Sequence, residues 1–399
     1  MIETVKLGDV AIVKGGKRLP KGTNLITTPN SHPYIRVRDL NNQSTLELND
    51  DFEYVDDETQ KSISRYIVEA GDIVLSIVGT IGLVAIIGES LHKANLTENC
   101  VKLTQLDGVD RDYLYYFLKS GLGQAEIAKG TVGAVQAKLP IKNIQNIDVI
   151  LPDIETQKRI SSILRSIDNK IDNNQKINDN LYAQARAIAN QWITENDSDY
   201  ELLPLNEVAV INSDTYSAKA EWEYVNYLDT SSITDGYITD IQRITPSAEK
   251  LPSRARRIIA SNDVVFSTVR PNQRHFGIIS EPLPNMLAST GFAVIRSKNP
   301  LVCNELIYLC LTDNAFIDKM QQLAEQSTST FPSIKPSDLG VCEIPCPKDD
   351  SSSNLTETLK TMFTLIAANH RENASLVELR DSLLQKLMSG EIDVSDIQL

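Results

Sequence analysis

LPDIETQKRISSILRSIDNKIDNNQKINDNLYAQARAIANQWI, residues 151–193, is the stretch that decides the architecture. Its apolar residues recur in steps of four and three, the spacing of a helix packed along a seam. The pattern returns 195 residues later: Ile160, Leu164, Ile167, Ile171, Leu181, Ile188 and Trp192 correspond to Leu355, Leu359, Met362, Ile366, Leu376, Leu383 and Leu387. The polar interruptions return with it, Asn174 and Asn178 falling on Asn369 and Asn373. A repeat of both the stripe and its defects is a repeat of structure.

Each helix predicted this way would extend about 60 Å at 1.5 Å per residue. Asp153 and Glu155 suit the positive end of the first, and Gly390 after residues 386–389 suits the end of the second. Both parallel and antiparallel pairings satisfy the asparagine amides, which are costly against apolar partners. A domain-sized insertion between the helices and a pseudo-twofold relation favour the antiparallel one. It sets Asn174 against Asn373, Asn178 against Asn369, Ile171 against Leu376 and Leu181 against Ile366. The competing reading, in which each helix merely docks on its own domain, does not need so sustained a heptad.

The flanking segments repeat as well. Residues 205–209 (LNEVA) answer 7–11 (LGDVA), 224–229 answer 34–39, and 262–269 (NDVVFSTV) answer 71–78 (GDIVLSIV). Strands are predicted over 34–38, 72–78 and 144–151, a helix over 110–120 with Asp110 as N-cap and Gly121 as its stop, and a loop over 130–135. A helix over 303–312 and a strand-like run over 341–347 answer these in the second half. The chain therefore divides into 1–152, the helix 153–195, 196–347, and the helix and tail 348–399. The fold class is α+β: two similar globular domains separated by two long helices that form an antiparallel coiled coil, an internal pseudo-twofold repeat.

The longest apolar runs, 73–78 and 83–87, are strand-length and too short to span a membrane. Residues 1–10 carry Glu3 and Asp9 and lack the apolar core of a signal peptide. Five unevenly spread cysteines suit a reducing cytoplasm better than a disulfide scaffold. The net charge of −14 argues against nucleic-acid binding as a bulk property. Charge is patchy, however: acids crowd 47–58 and 195–223, whereas 254–275 holds five arginines and a histidine against Asp263 alone.

No catalytic motif emerges. There is no phosphate-cradling glycine loop, and Gly79 with Gly82 reads as a turn. No Asn/Asp-Pro-Pro-aromatic string of an amino-methyltransferase occurs. Asp153, Glu155 and Lys158 lack nuclease spacing and read as a helix cap. Cys303, Cys310, Cys342 and Cys346 are too far apart for an ordinary zinc site. What remains is a set of basic, amide and hydroxyl side chains on loops. They are Lys14, Lys17, Arg18, Arg36, Arg38, Thr80 and Lys138 in the first domain. In the second they are Arg254, Arg256, Arg257, Arg270, Asn272, Gln273, Arg274, His275 and Lys335. Arginine suits bidentate contact with guanine, asparagine and glutamine with adenine, and lysine with phosphate. Each could equally be a solvated charge or partner one of the abundant acids. The RPNQRH loop at 270–275 is the strongest candidate, because it enlarges a strand connection that is tight in the first domain.

On these features the chain resembles the specificity (S) subunits of Type I restriction–modification systems over essentially its whole length. The residues that carry the resemblance are 151–172 (proline, Glu-x-Gln, then an isoleucine-rich helix), 376–394 (LVELRDSLLQKLMSGEIDV), and the Gly71-Asp72 strand followed by Gly79 and Gly82. The second helix start, PKDDSSSNLTETLK at 347–360, lacks the Glu-x-Gln string. The resemblance implies a non-catalytic DNA reader whose two target-recognition domains each read one half of a split site. It further implies that the helix pair spaces them and docks two modification subunits carrying S-adenosylmethionine chemistry, with restriction subunits joining that core. No cofactor is expected in this chain. A coiled-coil assembly protein that binds no DNA is the alternative class.

Overall fold

In the computed structural model, residues 3–40, 44–133, 136–217, 220, 222–326 and 331–395 are described; Ala134 and Val135 of the expected 130–135 loop lie outside them. The chain forms two compact units, Met1–Asn173 with Asn373–Leu399, and Asn174–Glu372.

In the first unit, strand Glu3–Lys6 pairs antiparallel with Asp148–Leu151, tying the chain start to the segment that feeds the central helix. A five-stranded sheet runs in the order Ile12–Gly15, Cys100–Thr104, Ile73–Ser76, Val84–Ile87, Thr45–Leu46. A smaller sheet joins Glu53–Tyr54, Pro33–Ile35 and Asn95–Leu96, the last two in parallel. Helix Arg111–Lys119 is buried from Tyr113 through Leu118, and the Asp110 carboxylate accepts the Tyr113 N–H at 2.8 Å, as its N-cap position predicts.

The second unit repeats the plan. One four-stranded sheet runs Ala209–Ile211, Phe292–Ser297, Asp263–Ser267, Phe276–Ile279. The other runs Gln242–Ile244, Val225–Leu228, Met286–Ser289, Ala255–Ile258, again with a parallel central pair. Buried Asp72 and Asp263 open corresponding strands. Each accepts the N–H of the residue three before it (2.9 and 2.7 Å) and meets a cation from the neighbouring strand, Lys102 at 2.9 Å and Arg296 at 2.7 Å.

Three local expectations are corrected. The 34–38 strand stops at Ile35, because the Asp39 carboxylate takes the Arg36 N–H at 2.7 Å and winds Val37–Asp39 into a 3-10 turn. Pro140 starts a helical turn, Ile141–Gln145, where 144–151 reads as strand, so only Asp148–Leu151 is extended. Ser120, not Gly121, ends the 110–120 helix, and its hydroxyl caps the next helix, Gly121–Gly130.

The central helix, Ile154–Glu195, is unbroken over 42 residues and starts where Asp153 accepts the Thr156 N–H and hydroxyl at 3.0 and 2.8 Å. The terminal helix, Ser353–Met388, ends at Gly390 with φ +75°; the Gly390 N–H reaches Leu387 O and the Glu391 N–H reaches Lys386 O. Within each unit the helix segments run antiparallel. In the first, Arg159 bonds the Val394 carbonyl (3.4 Å), Asp168 takes Arg380 Nη1 (3.0 Å), and Asn373 Nδ2 donates to Ile171 O (3.3 Å). In the second, Asn369 Nδ2 donates to Asn178 Oδ1 (2.7 Å), the predicted pair, while Asn174 Nδ2 donates to Glu372 (2.7 Å).

Of the predicted seam, Ile160, Leu164, Ile167, Asn174, Asn178, Leu355, Leu359, Ile366 and Leu387 are buried. Ile171, Leu181, Ile188, Trp192, Met362, Asn369, Asn373, Leu376 and Leu383 are half-buried. A seam between helices alone is too narrow an account. Ile160, Leu164, Leu384, Leu387 and Met388 belong to the core of the first unit. Ala185, Ala189, Leu355, Leu359 and Phe363 belong to that of the second. Each helix segment therefore packs on its domain as well as on its partner helix.

Candidate nucleic-acid interface

In the first unit the arginines gather at the end of strand Pro33–Ile35. Arg18, Arg36 and Arg38 line one open pocket of about 350 Å³ with Tyr34, Thr97 and Glu98. Each is held by an acid. Arg18 Nε meets Glu98 at 2.6 Å, Arg36 pairs with Glu53, and Arg38 Nη2 reaches Glu53 at 3.1 Å. Arg36 Nε and Nη2 are buried without a hydrogen-bond partner. Burial pushes the Asp39 carboxyl up to about 6, against the opposing pull of Arg38. These acids, Asp39, Glu53 and Glu98, escape a search for basic readers. The Arg-x-Arg-Asp spacing of 36–39 is the one local sign of them. Lys17 lies 5.5 Å over the Tyr66 ring, and Lys14 is exposed on strand Ile12–Gly15.

Thr80 and Lys138 come together at a second place. Gly79 and Gly82, at φ +81° and +93°, close the turn between strands Ile73–Ser76 and Val84–Ile87, and Gln124 Nε2 braces it through Gly82 O (3.0 Å). Val78 bridges Lys138, and Leu139 N–H reaches Ile77 O, setting the exposed Lys138 beside the exposed Thr80.

The second unit has the same two places. Its turn, 270–275, lies between strands Asp263–Ser267 and Phe276–Ile279 in a connection, 268–275, one residue longer than 77–83 of the first unit, so the expected insertion amounts to a single residue; Val269 bridges Ser333, and Ile334 N–H reaches Thr268 O. Within it the side chains divide. Asn272 and Gln273 are exposed, and the Asn272 N–H is braced by Gln321 (3.3 Å). Arg274 is turned inward onto Asp235 (2.6 Å), Asn314 (3.0 Å) and the Phe276 ring, and His275 Nδ1 donates to Ile233 O (2.7 Å). Lys335 is exposed, its N–H capped by Asp338 (2.7 Å). At the other place, Arg254 is exposed beside strand Ala255–Ile258, Arg256 Nε reaches Ser253 O (3.3 Å), and Arg257 Nε is buried without a partner.

Among the described residues no group of His, Cys, Asp and Glu could hold a metal ion, and no helix is long and apolar enough to cross a membrane. The arrangement can present guanidinium, amide and hydroxyl groups from two loop sets per unit.

Residues 2–183 match the family model described as Type I restriction modification DNA specificity domain. The Type I restriction enzyme MjaIX specificity subunit of Methanocaldococcus jannaschii is 24% identical over 390 residues, 92% of this chain and 88% of that one. The HindI specificity subunit of Haemophilus influenzae is 23% identical over 139 residues, 35% of this chain and 30% of its own length. In fold, the chain is similar to the crystal structure of the Type I restriction–modification S subunit from M. genitalium, with TM-score 0.55 and 16% identity over 97% of this chain and 96% of that one.

Proposed function

We propose that this chain is a specificity subunit of a Type I restriction–modification system, as the match of residues 2–183 to that family's domain and its similar relatives support, and that its two units each read one half of a bipartite double-stranded DNA target. It is a DNA sequence-recognition subunit and not an enzyme. The observation that carries the two-half reading is the repetition of the sheet plan, with loops 79–82 and 270–275 leaving corresponding strand ends beside Lys138 and Ser333. A reader built twice suits a target read in two pieces.

In this reading Thr80, Lys138, Asn272, Gln273 and Lys335 meet the duplex from the strand turns. Arg18, Arg36, Arg38 and Arg254, with Lys14, Lys17, Arg256 and Arg257 around them, meet it from the second place. Local cation clusters offset the chain's acidic balance. The partners are DNA, two modification subunits docked on the helix pair, and restriction subunits in the full complex, in a cytoplasmic setting. S-adenosylmethionine belongs to the modification subunits.

The test is methylation mapping in cells that express the full chain with its modification subunits. The expected product is one split motif with a fixed gap, absent when this chain is omitted. Methylation independent of this chain, or a continuous motif, would contradict the proposal.

A further inference from the structure

Gly79 and Arg270 hold the same position in the two units. Each lies three residues past the end of the corresponding strand and one past Val78 or Val269, which make the corresponding bridges to Lys138 and Ser333. Both are left-handed, at φ +81° and +47°. Glycine adopts that conformation freely, whereas arginine is strained in it by about 1 kcal/mol or more. Nothing lies within 4 Å of a Cβ built on Gly79, so the position itself imposes no demand for a side chain. Strain kept where glycine would relieve it points to the side chain's own use.

That side chain lies over Phe331, the guanidinium carbon 5.3 Å from the ring centroid. Phe331 is 60% exposed, and every other aromatic residue of the chain is buried or half-buried. The Arg270 N–H bonds Pro332 O at 2.9 Å, so the loop carrying the arginine is tied to the segment carrying the phenylalanine. Arg274, by contrast, is committed to Asp235 and Asn314 and holds the loop in place.

Building on the DNA-reading proposal, we infer that Arg270 and Phe331 are a paired base reader in the second unit, specific for a thymine next to a guanine. The thymine 5-methyl group is the apolar feature that base pairs present in the major groove, and phenylalanine suits it; guanine offers the O6 and N7 acceptors that a guanidinium fork takes. Stacking on the ring pre-orients the fork, which lowers the entropy lost on contact. The first unit has Gly79 and Gln136 at the corresponding positions and lacks the pair.

The test is the methylation map of the full chain with its modification subunits, compared for wild type, Phe331→Ala, Phe331→Leu and Arg270→Gly. The half-site assigned to the second unit is the one that Arg38→Ala leaves unchanged. It should contain a thymine adjacent to a guanine. Phe331→Ala should lower discrimination at the thymine, and Arg270→Gly at the guanine, each roughly ten-fold, the scale of one good base contact. Phe331→Leu should retain part of the thymine preference. Arg270→Gly should melt no lower than wild type, since it relieves backbone strain, so its loss of reading will not be a folding defect. Absence of the thymine–guanine step, an unchanged motif in both variants, or uniform loss over all sites would overturn the inference and leave the two-half reading standing. A wild-type chain that directs no sequence-specific methylation would fail the two-half reading itself.

Discussion

Asp168 of the central helix and Arg380 of the terminal helix meet at 3.0 Å with 6% and 17% of their side chains exposed, and the Tyr116 hydroxyl donates to the same carboxylate at 2.6 Å. The junction of helices and domain in the first unit thus rests on a buried charge with its partners. At the position 195 residues on, the second unit has Phe363, edge-on to Tyr308 and Tyr182 at 5.6 and 5.4 Å. One repeat closes this junction with ions, the other with rings.

Asp168→Ala should therefore cost about 1–3 kcal/mol, because it leaves Arg380 with Asp381 as its remaining acid and takes the acceptor from the Tyr116 hydroxyl. Asp168→Ala with Arg380→Leu should recover a large part. Denaturant unfolding of the full chain reads both; equal losses in the single and double variants would refute the pairing.

The amide pair of the second unit makes the opposite kind of prediction. Asn178→Leu alone leaves the Asn369 amide without its 2.7 Å acceptor and should destabilise by about 1–3 kcal/mol. Replacing both with leucine should restore stability or exceed it while loosening the helix register. A double variant less stable than the single one would contradict this.

Asp39 gives the first unit a pH dependence. Its carboxyl, raised from 3.8 to about 6 by burial, binds a proton more readily folded than unfolded. The folded state is therefore favoured at the acid end, and this contribution is lost as pH rises from about 4 to 6. Asp39→Asn should flatten that part of the stability profile, measured by melting temperature across pH 4–7. A profile as steep as that of wild type would assign the slope elsewhere.

Arg274 and Arg38 should behave differently in the assembled complex. Arg274→Ala removes the Asp235 and Asn314 contacts and should lower the melting temperature and weaken methylation at all sites alike. Arg38→Ala should relax sequence choice in one half of the target only, by roughly 1–3 kcal/mol if the contact is bidentate. Relaxation in both halves by Arg38→Ala would refute one unit per half-site.

The helices, the repeat and the Asn178–Asn369 pair are legible in the sequence because periodicity and its defects are local signals. Asp168 and Arg380 lie off the apolar stripe and read as ordinary surface charges; only the packing of Tyr116 against them reveals a buried site. The acids that hold the arginines of the first unit are hidden for a related reason. Glu53 reaches Arg36 and Arg38 because Glu53–Tyr54 pairs with Pro33–Ile35, yet in sequence it belongs to an acidic run. The inward turn of Arg274 depends on Asp235, 39 residues away, so loop composition alone ranks it with the readers. Phe331 stands alone in a Ser/Thr-rich stretch and offers no pattern at all.

The order of synthesis acquires a meaning from the way the chain is divided. The second unit is one continuous segment, Asn174–Glu372, and all of its core is available once residue 372 has been made. The first unit waits for residues 384–394, because Leu384, Leu387, Met388 and Val394 complete the core begun by Leu7, Tyr113 and Ile160. A ribosome that stops between residues 372 and 384 therefore releases a finished second reader on a chain whose first reader still exposes the apolar flank of its helix. Synthesis through residue 394 is in this way a condition for the two readers to be presented together, and chains ended before it are marked by an open core for proteolysis.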